Sequence, residues 1–178
     1  MSPEKSRAGW WLKQGTPDEP YWIGGTRPGN ALYVPPPPQE LASTMGDLEK
    51  FLHGDPEKVP TLLKAALVHV QFESIHPFLD GNGRLGRLLI TFILCAEKAL
   101  SEPLLYLSLY FKEHRKVYYE TLQKVRTDGD LEGWLEFFLT GVETVANEAG
   151  STAKKLLSMF DIHRKQIQKL GRAASTAL

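Results

Sequence analysis

The sequence predicts a mostly α-helical single domain with one small β-hairpin near its N-terminus, and three observations predict it. Apolar residues recur at three- and four-residue spacing in most segments beyond the prolines at 35–38, the period of an amphipathic helix. The β-prone runs YWI and ALYV lie before that point and flank the turn-rich segment GGTRPGN. The chain has 178 residues, 42% of them hydrophobic and 24% charged, within the range where one domain buries a self-sufficient core. Residues 1–19 read as an N-terminal segment, 20–150 as the domain with its hairpin at 21–34, and 151–178 as a C-terminal helix and tail.

The hairpin is followed by four prolines that force an extended strut, because proline fixes φ and offers no donor to a helix or sheet. Residues 39–53 then place Leu41, Met45, Leu48 and Leu52 at helical spacing, and Gly54 and Asp55 end that helix. Pro60 suits the first turn of a second helix, whose stripe of Leu63, Leu67 and Val70 runs towards Phe72 and should stop near His76 and Pro77. After a loop at 78–83, the run RLGRLLITFILCAEKAL reads as a strongly buried helix and as the central one. Pro103 restarts the chain, and LLYLSLYFKEHRKVYYETLQKV is read as helix throughout. Asp130 is placed to cap the next helix, which runs through Trp134, Phe137, Phe138 and Val142 to about Gly150. A last polar helix is expected over about 151–170.

Charge and cysteine usage exclude several roles. Lys and Arg (21) balance Asp and Glu (21), so no overall field gathers the chain onto nucleic acid or an anionic membrane. The single cysteine, Cys95, lies in an apolar run and reads as a buried structural thiol, which suits a reducing cytosol. No apolar stretch approaches the roughly 18 residues that span a bilayer, and the N-terminus has no apolar signal core, so the expected setting is cytoplasmic.

The segment HPFLDGNGRLGR at 76–87 carries the chemistry. It gathers one histidine, one carboxylate, three glycines, an asparagine and two arginines between two helices, a mixture poorly suited to core packing. Gly81 and Gly83 can take positive φ, so Gly81, Asn82 and Gly83 can turn successive N–H groups into one anion-binding concavity. The helix that starts there adds its unpaired N–H groups and positive dipole end. Arg84 and Arg87, three apart, share a helix face and can bond a polyphosphate. Asp80 at the edge can hold magnesium, which takes one or two carboxylates and fills its other positions with water and phosphate oxygens. His76, with an ordinary pKa of about 6.5, is largely neutral at pH 7 and can accept a proton from an attacking hydroxyl. Phe78 is read as a ring that anchors the loop, and His69, on a helical stripe, as a structural side chain.

Two other motifs overlap these letters. Gly81, Gly83 and Gly86 match the dinucleotide fingerprint, with Glu102 near the ribose-binding position, but that motif needs a strand running directly into the first glycine and a parallel sheet after it. Asp80 and Asn82 open like a calcium loop, yet Leu85 stands where glycine is required and Thr91 where the bidentate glutamate belongs.

HPFLDGNGRLGR resembles the signature of the Fic-domain family, HxFx[DE]GNGRxxR, with every specified position filled. The resemblance extends upstream to WIGG and YVPPPP and downstream to YYETL and WLEFFL, covering roughly residues 20–145. It implies a compact Fic-type helical domain with a hairpin flap, a nucleotidyltransferase that binds ATP and Mg2+ and transfers AMP to a Ser, Thr or Tyr hydroxyl of a target protein. His76 would then be the general base, Asp80 the magnesium ligand, and Gly81, Asn82, Gly83, Arg84 and Arg87 the phosphate site. Tyr118 and Tyr119 would border the adenine pocket, with core packing as the alternative reading of Tyr118. Trp22, Ile23 and Gly24 would pair with the target by strand addition.

The family's inhibitory pattern [ST]xxxE[GN] has no match: Glu132 and Gly133 follow Asp128 where Ser or Thr belongs, and Thr144 to Glu148 is followed by Ala149. The chain is therefore expected to be uninhibited, restrained by a partner, or a fragment. Oligomeric state stays open, and the arginine site would let a homodimer partner or an antitoxin regulate it. The readings kept beside adenylyl transfer are a de-AMPylating hydrolase, for which no water-positioning glutamate is evident, and a non-catalytic nucleotide-binding interaction module.

Overall fold

The computed structural model describes residues 22–54 and 59–176; the expected N-terminal segment and Tyr21 of the first β-prone run lie outside them. Six α-helices follow one another among the described residues: α1 Pro38–His53, α2 Thr61–Ile75, α3 Asn82–Ala96, α4 Leu107–Glu113, α5 Arg115–Asp128 and α6 Leu131–Thr176. Pro38 is already helical, occupying the first position of α1, where its missing N–H costs nothing. No helix among the described residues is long and apolar enough to cross a membrane.

The central helix is α2, a correction to the expectation for α3. Ala65, Ala66, Val68, His69, Val70, Phe72, Glu73 and Ile75 are all buried, and α2 touches α1, α3, α5 and α6. The mixture of alanines, a histidine and a glutamate hides that burial from a hydrophobicity pattern. The leucine-rich α3 packs one face on α2 through Gly86, Ile90, Ile93 and Leu94, and leaves Leu85, Leu88 and Phe92 exposed.

The segment expected as one helix after Pro103 is two. Phe111 on α4 and Tyr118 on α5 stack with ring centroids 4.9 Å apart, whereas seven residues of straight helix would separate their Cα atoms by about 10 Å. The break at His114 brings both rings into the core beside Trp134, Phe137 and Phe138 of α6. Trp134 is fully buried and its Nε1–H donates to Ala66 O at 3.0 Å, tying α6 to α2. Asp130 caps α6 as expected, its Oδ1 accepting from the Gly133 N–H at 2.9 Å. The separate last helix expected from about residue 151 is the second half of α6, which runs through Gly150; one helical glycine costs about 1 kcal/mol and does not by itself stop a helix. Residues 151–169 of α6 are exposed along their whole length.

Of the expected hairpin, the described residues show a single antiparallel bridge and no named strand. Ile23 N–H donates to Tyr33 O at 2.8 Å, and the N–H groups of Tyr33 and Leu32 both converge on Ile23 O. Between them Gly24 and Gly25 take positive φ and Asn30 folds back, its Oδ1 accepting from the N–H groups of Thr26 and Arg27. A Cβ on Gly25 would lie 2.3 Å from Asn30 O, so the tight loop between the two β-prone runs requires glycine there.

Candidate active site

The site forms where α2 ends and α3 begins. Pro77 cannot continue α2, and the chain turns at His76, the C-cap residue, with φ 49 and ψ 59. Positive φ in a non-glycine residue is a costly conformation that persists where the surroundings enforce it. Gly81 makes the second turn with φ 88 and caps α3, whose first turn holds Asn82 and Gly83 rather than starting after them. Gly81 O accepts from the N–H groups of Arg84 and Leu85, so the preceding N–H groups at Asn82 and Gly83 fall in the first turn, where a helix offers them no intrahelical acceptor.

The Asn82 side chain is 1% exposed and has a different task from its backbone. Its Oδ1 accepts from Phe78 N–H at 2.9 Å and its Nδ2 donates to Phe78 O at 2.7 Å, pinching the loop shut. Phe78 in turn sets its ring against Phe72, at 6.3 Å between centroids, which fastens the loop to α2.

Both arginines curl back over the helix start. A Cβ on Gly81 would lie 3.6 Å from Arg84 Nη2, and one on Gly83 would lie 3.1 Å from Arg87 Nη1. Arg84 also reaches Asp80 Oδ2 at 3.3 Å, while Asp80 Oδ1 accepts from Gly81 N–H at 2.7 Å. The Asp80 carboxylate is exposed at the rim of the nest. No group of three or more His, Cys, Asp or Glu that would hold a metal unaided occurs among the described residues.

Glu73, which sequence reading passed over, lies beneath this surface. It is 6% exposed, and a Cβ on Gly86 would come 2.6 Å from its Oε1, so the third glycine of the segment is there for the close approach of α3 to α2. Burial raises its carboxyl to about 7, against the pull of Arg126 and then Arg87. His69, also fully buried, is pushed down to about 4 by desolvation and stays neutral, sharing a 2.9 Å hydrogen bond with the Tyr118 hydroxyl. The sequence signal was weak, because α2 also carries Lys64, His69, Gln71 and Ser74, among which one more polar residue does not stand out.

The remaining expected residues separate. Tyr118 is 3% exposed and packed among His69, Phe111 and Trp134, so no ring surface is left for a nucleobase; its place as a nucleotide contact is corrected to core. Tyr119 is exposed, with the Arg115 guanidinium 5.6 Å from its ring centroid. Trp22 and Ile23 are half-buried and Gly24 is exposed, next to the loop at 24–31.

A Fic/DOC family model matches residues 10–94, which include the whole of this site and end within α3. The chain is 36% identical over 121 residues to the protein adenylyltransferase Fic of Drosophila erecta, covering 64% of this chain and 23% of that one. It is also 36% identical over 106 residues to the protein of the same name from Aedes aegypti, covering 59% and 20%. The chain thus spans about a fifth of the length of these curated relatives. A solved structure of a Fic family protein from Desulfovibrio desulfuricans G20 superposes with a TM-score of 0.62 at 33% identity, over 68% of this chain and 36% of that one.

Proposed function

The chain belongs to the Fic/DOC family, and we propose that it is a protein adenylyltransferase that moves AMP from ATP to a Ser, Thr or Tyr hydroxyl of a target protein. The observation that carries this reading is His76, held at positive φ at the end of α2, one short turn before the start of α3 at Asn82. Binding a phosphate needs no histidine. A transfer reaction does need a base, and a residue kept in a strained conformation beside a phosphate site answers that need.

In this reading the Gly81–Asn82–Gly83 turn offers the phosphates the N–H groups of Asn82 and Gly83, the Gly81 N–H being bonded to Asp80 Oδ1; the guanidinium groups of Arg84 and Arg87 complete the site, and Arg87 orients the leaving group in line. The target hydroxyl oxygen bonds to the α-phosphorus as the bond from that phosphorus to the bridging oxygen of the β-phosphate breaks. The hydroxyl proton passes to His76, and the electron pair leaves with pyrophosphate. Asp80 would hold magnesium: one exposed carboxylate beside a phosphate nest suits an ion that keeps several waters, and the ion would offset phosphate charge. Tyr119 is the remaining tyrosine for the edge of the base pocket. Ile23 already commits its N–H and C=O to Tyr33, so a target strand added to this segment bonds the outward groups of Trp22 and Gly24.

The test is incubation of the purified chain with ATP labelled at the α-phosphate, Mg2+ and a cell lysate, wild type beside His76→Ala. Label on protein should fall at least a hundredfold in the variant, while calorimetric ATP affinity stays within about threefold. Equal labelling by the variant would refute His76 as the base. ATP binding with no labelled product would replace the transferase with a nucleotide-binding module.

A further inference from the structure

The end of α2 has a local shortage of hydrogen-bond donors, and its solution links the catalytic turn to the target-binding segment. In an uninterrupted helix Glu73 O would accept from residue 77 and Ser74 O from residue 78. Residue 77 is Pro77, which has no N–H, and the Phe78 N–H is committed to Asn82 Oδ1. Both carbonyls are instead satisfied by side chains from remote parts of the chain. Arg126 Nη2 of α5 donates to Glu73 O at 2.8 Å, and the Tyr33 hydroxyl donates to Ser74 O at 2.8 Å.

These two side chains also hold each other. The Arg126 guanidinium carbon lies 4.2 Å from the Tyr33 ring centroid, within cation–π range. One turn earlier on α5, Gln123 Nε2 donates to Leu32 O at 2.8 Å. Leu32 and Tyr33 are the residues whose backbone closes on Ile23, so the bridge of the target-binding segment stands on the same support as the helix that ends at His76. A cation at a helix C-terminus is also favoured by the dipole.

Resting on the transferase reading, we propose that Arg126 and Tyr33 are positioning residues that clasp the target-binding segment to the last turn of α2 and so set where a target hydroxyl meets His76. Neither touches substrate. The clasp makes presentation of the target, and not nucleotide binding, the step that Arg126 controls.

The experiment compares wild type, Arg126→Met, Arg126→Lys and Tyr33→Phe, using two readouts. Hydrogen exchange needs no substrate: in Arg126→Met the amides of Ile23, Leu32 and Tyr33 should exchange at least tenfold faster, with amides in the middle of α2 unchanged. The second readout is transfer from α-labelled ATP to the strongest acceptor protein purified from lysate. Arg126→Met should raise KM for that acceptor at least tenfold with ATP affinity within twofold, Arg126→Lys should recover part of it, and Tyr33→Phe should show a smaller rise. Unchanged exchange in the bridge, an unchanged acceptor KM, or an equal loss of ATP affinity would each overturn the clasp. A wild type that labels no protein would instead defeat the transferase reading, and the positioning role with it.

Discussion

Replacing Glu73 with Gln probes the carboxyl buried under the anion site. Glu73 is 6% exposed, its Oε1 has no hydrogen-bond partner, and burial moves it from 4.5 to about 7. A carboxyl whose folded value is raised binds more protons folded than unfolded between those two values, so its contribution to stability is lost as pH rises from about 4.5 to 7. At about 1.4 kcal/mol per pH unit, the loss is about 3 kcal/mol. His69 runs the other way. Its folded value falls from 6.5 to about 4, so the unfolded chain takes up its proton first and stability rises by a similar amount between pH 4 and 6.5. The two nearly cancel in the wild type, which should be flat across this range. Glu73→Gln removes one of them and should expose the rise, gaining about 3 kcal/mol over wild type between pH 4.5 and 8. Urea unfolding of both proteins at half-unit pH intervals measures the difference, and at this size the gain is worth roughly 6–12 °C in Tm. Parallel curves for the two proteins would refute the argument, by showing that Arg87 and Arg126 keep the carboxylate charged when folded.

Asn82→Ala should cost about 2 kcal/mol, since it removes one donor and one acceptor from the Phe78 backbone, and transfer should fall further than stability because the staple sets the loop beside His76; melting and labelling of the same preparation check both. Gly141→Ala should destabilise by about 1–3 kcal/mol despite alanine's better helix propensity, because its Cβ would fall 2.6 Å from the Tyr110 ring between α6 and α4; a melting temperature at or above wild type would count against that packing.

The helices that periodicity marks most clearly were legible almost residue by residue: 39–53 was expected and Pro38–His53 is found. What periodicity reports is which face of a helix is apolar, and it is silent on what covers that face. Leu85, Leu88 and Phe92 therefore made α3 look central, while Ala65, Ala66 and His69 concealed the burial of α2. The site was legible because its parts lie within twelve consecutive residues and glycine, histidine and arginine have few reasons to share a short turn. Arg126 and Tyr33 were not, since they reach α2 across 53 and 41 residues of sequence, and only the fold brings them there. A partial signal existed in Pro77, whose missing N–H guarantees that Glu73 O needs a donor from elsewhere.

The same proline explains why the proposed base and the proposed anion site are neighbours in the fold. Because Pro77 ends α2 and Gly81 opens α3, two helix ends of opposite polarity meet across a six-residue turn, residues 76–81. The positive start of α3 favours an anion at Gly81, Asn82 and Gly83. The negative end of α2 favours a cation, and the charge that the proposed adenylyl transfer would create there is the imidazolium of His76. Arg126 reaches that same end but is bonded to Glu73 O, three residues short of the histidine, so the donor shortage is relieved without a cation being placed on His76 itself. A turn built this way would separate charge in the direction the proposed transfer moves it, with the proton arriving at one helix end as negative charge builds on the leaving group at the other.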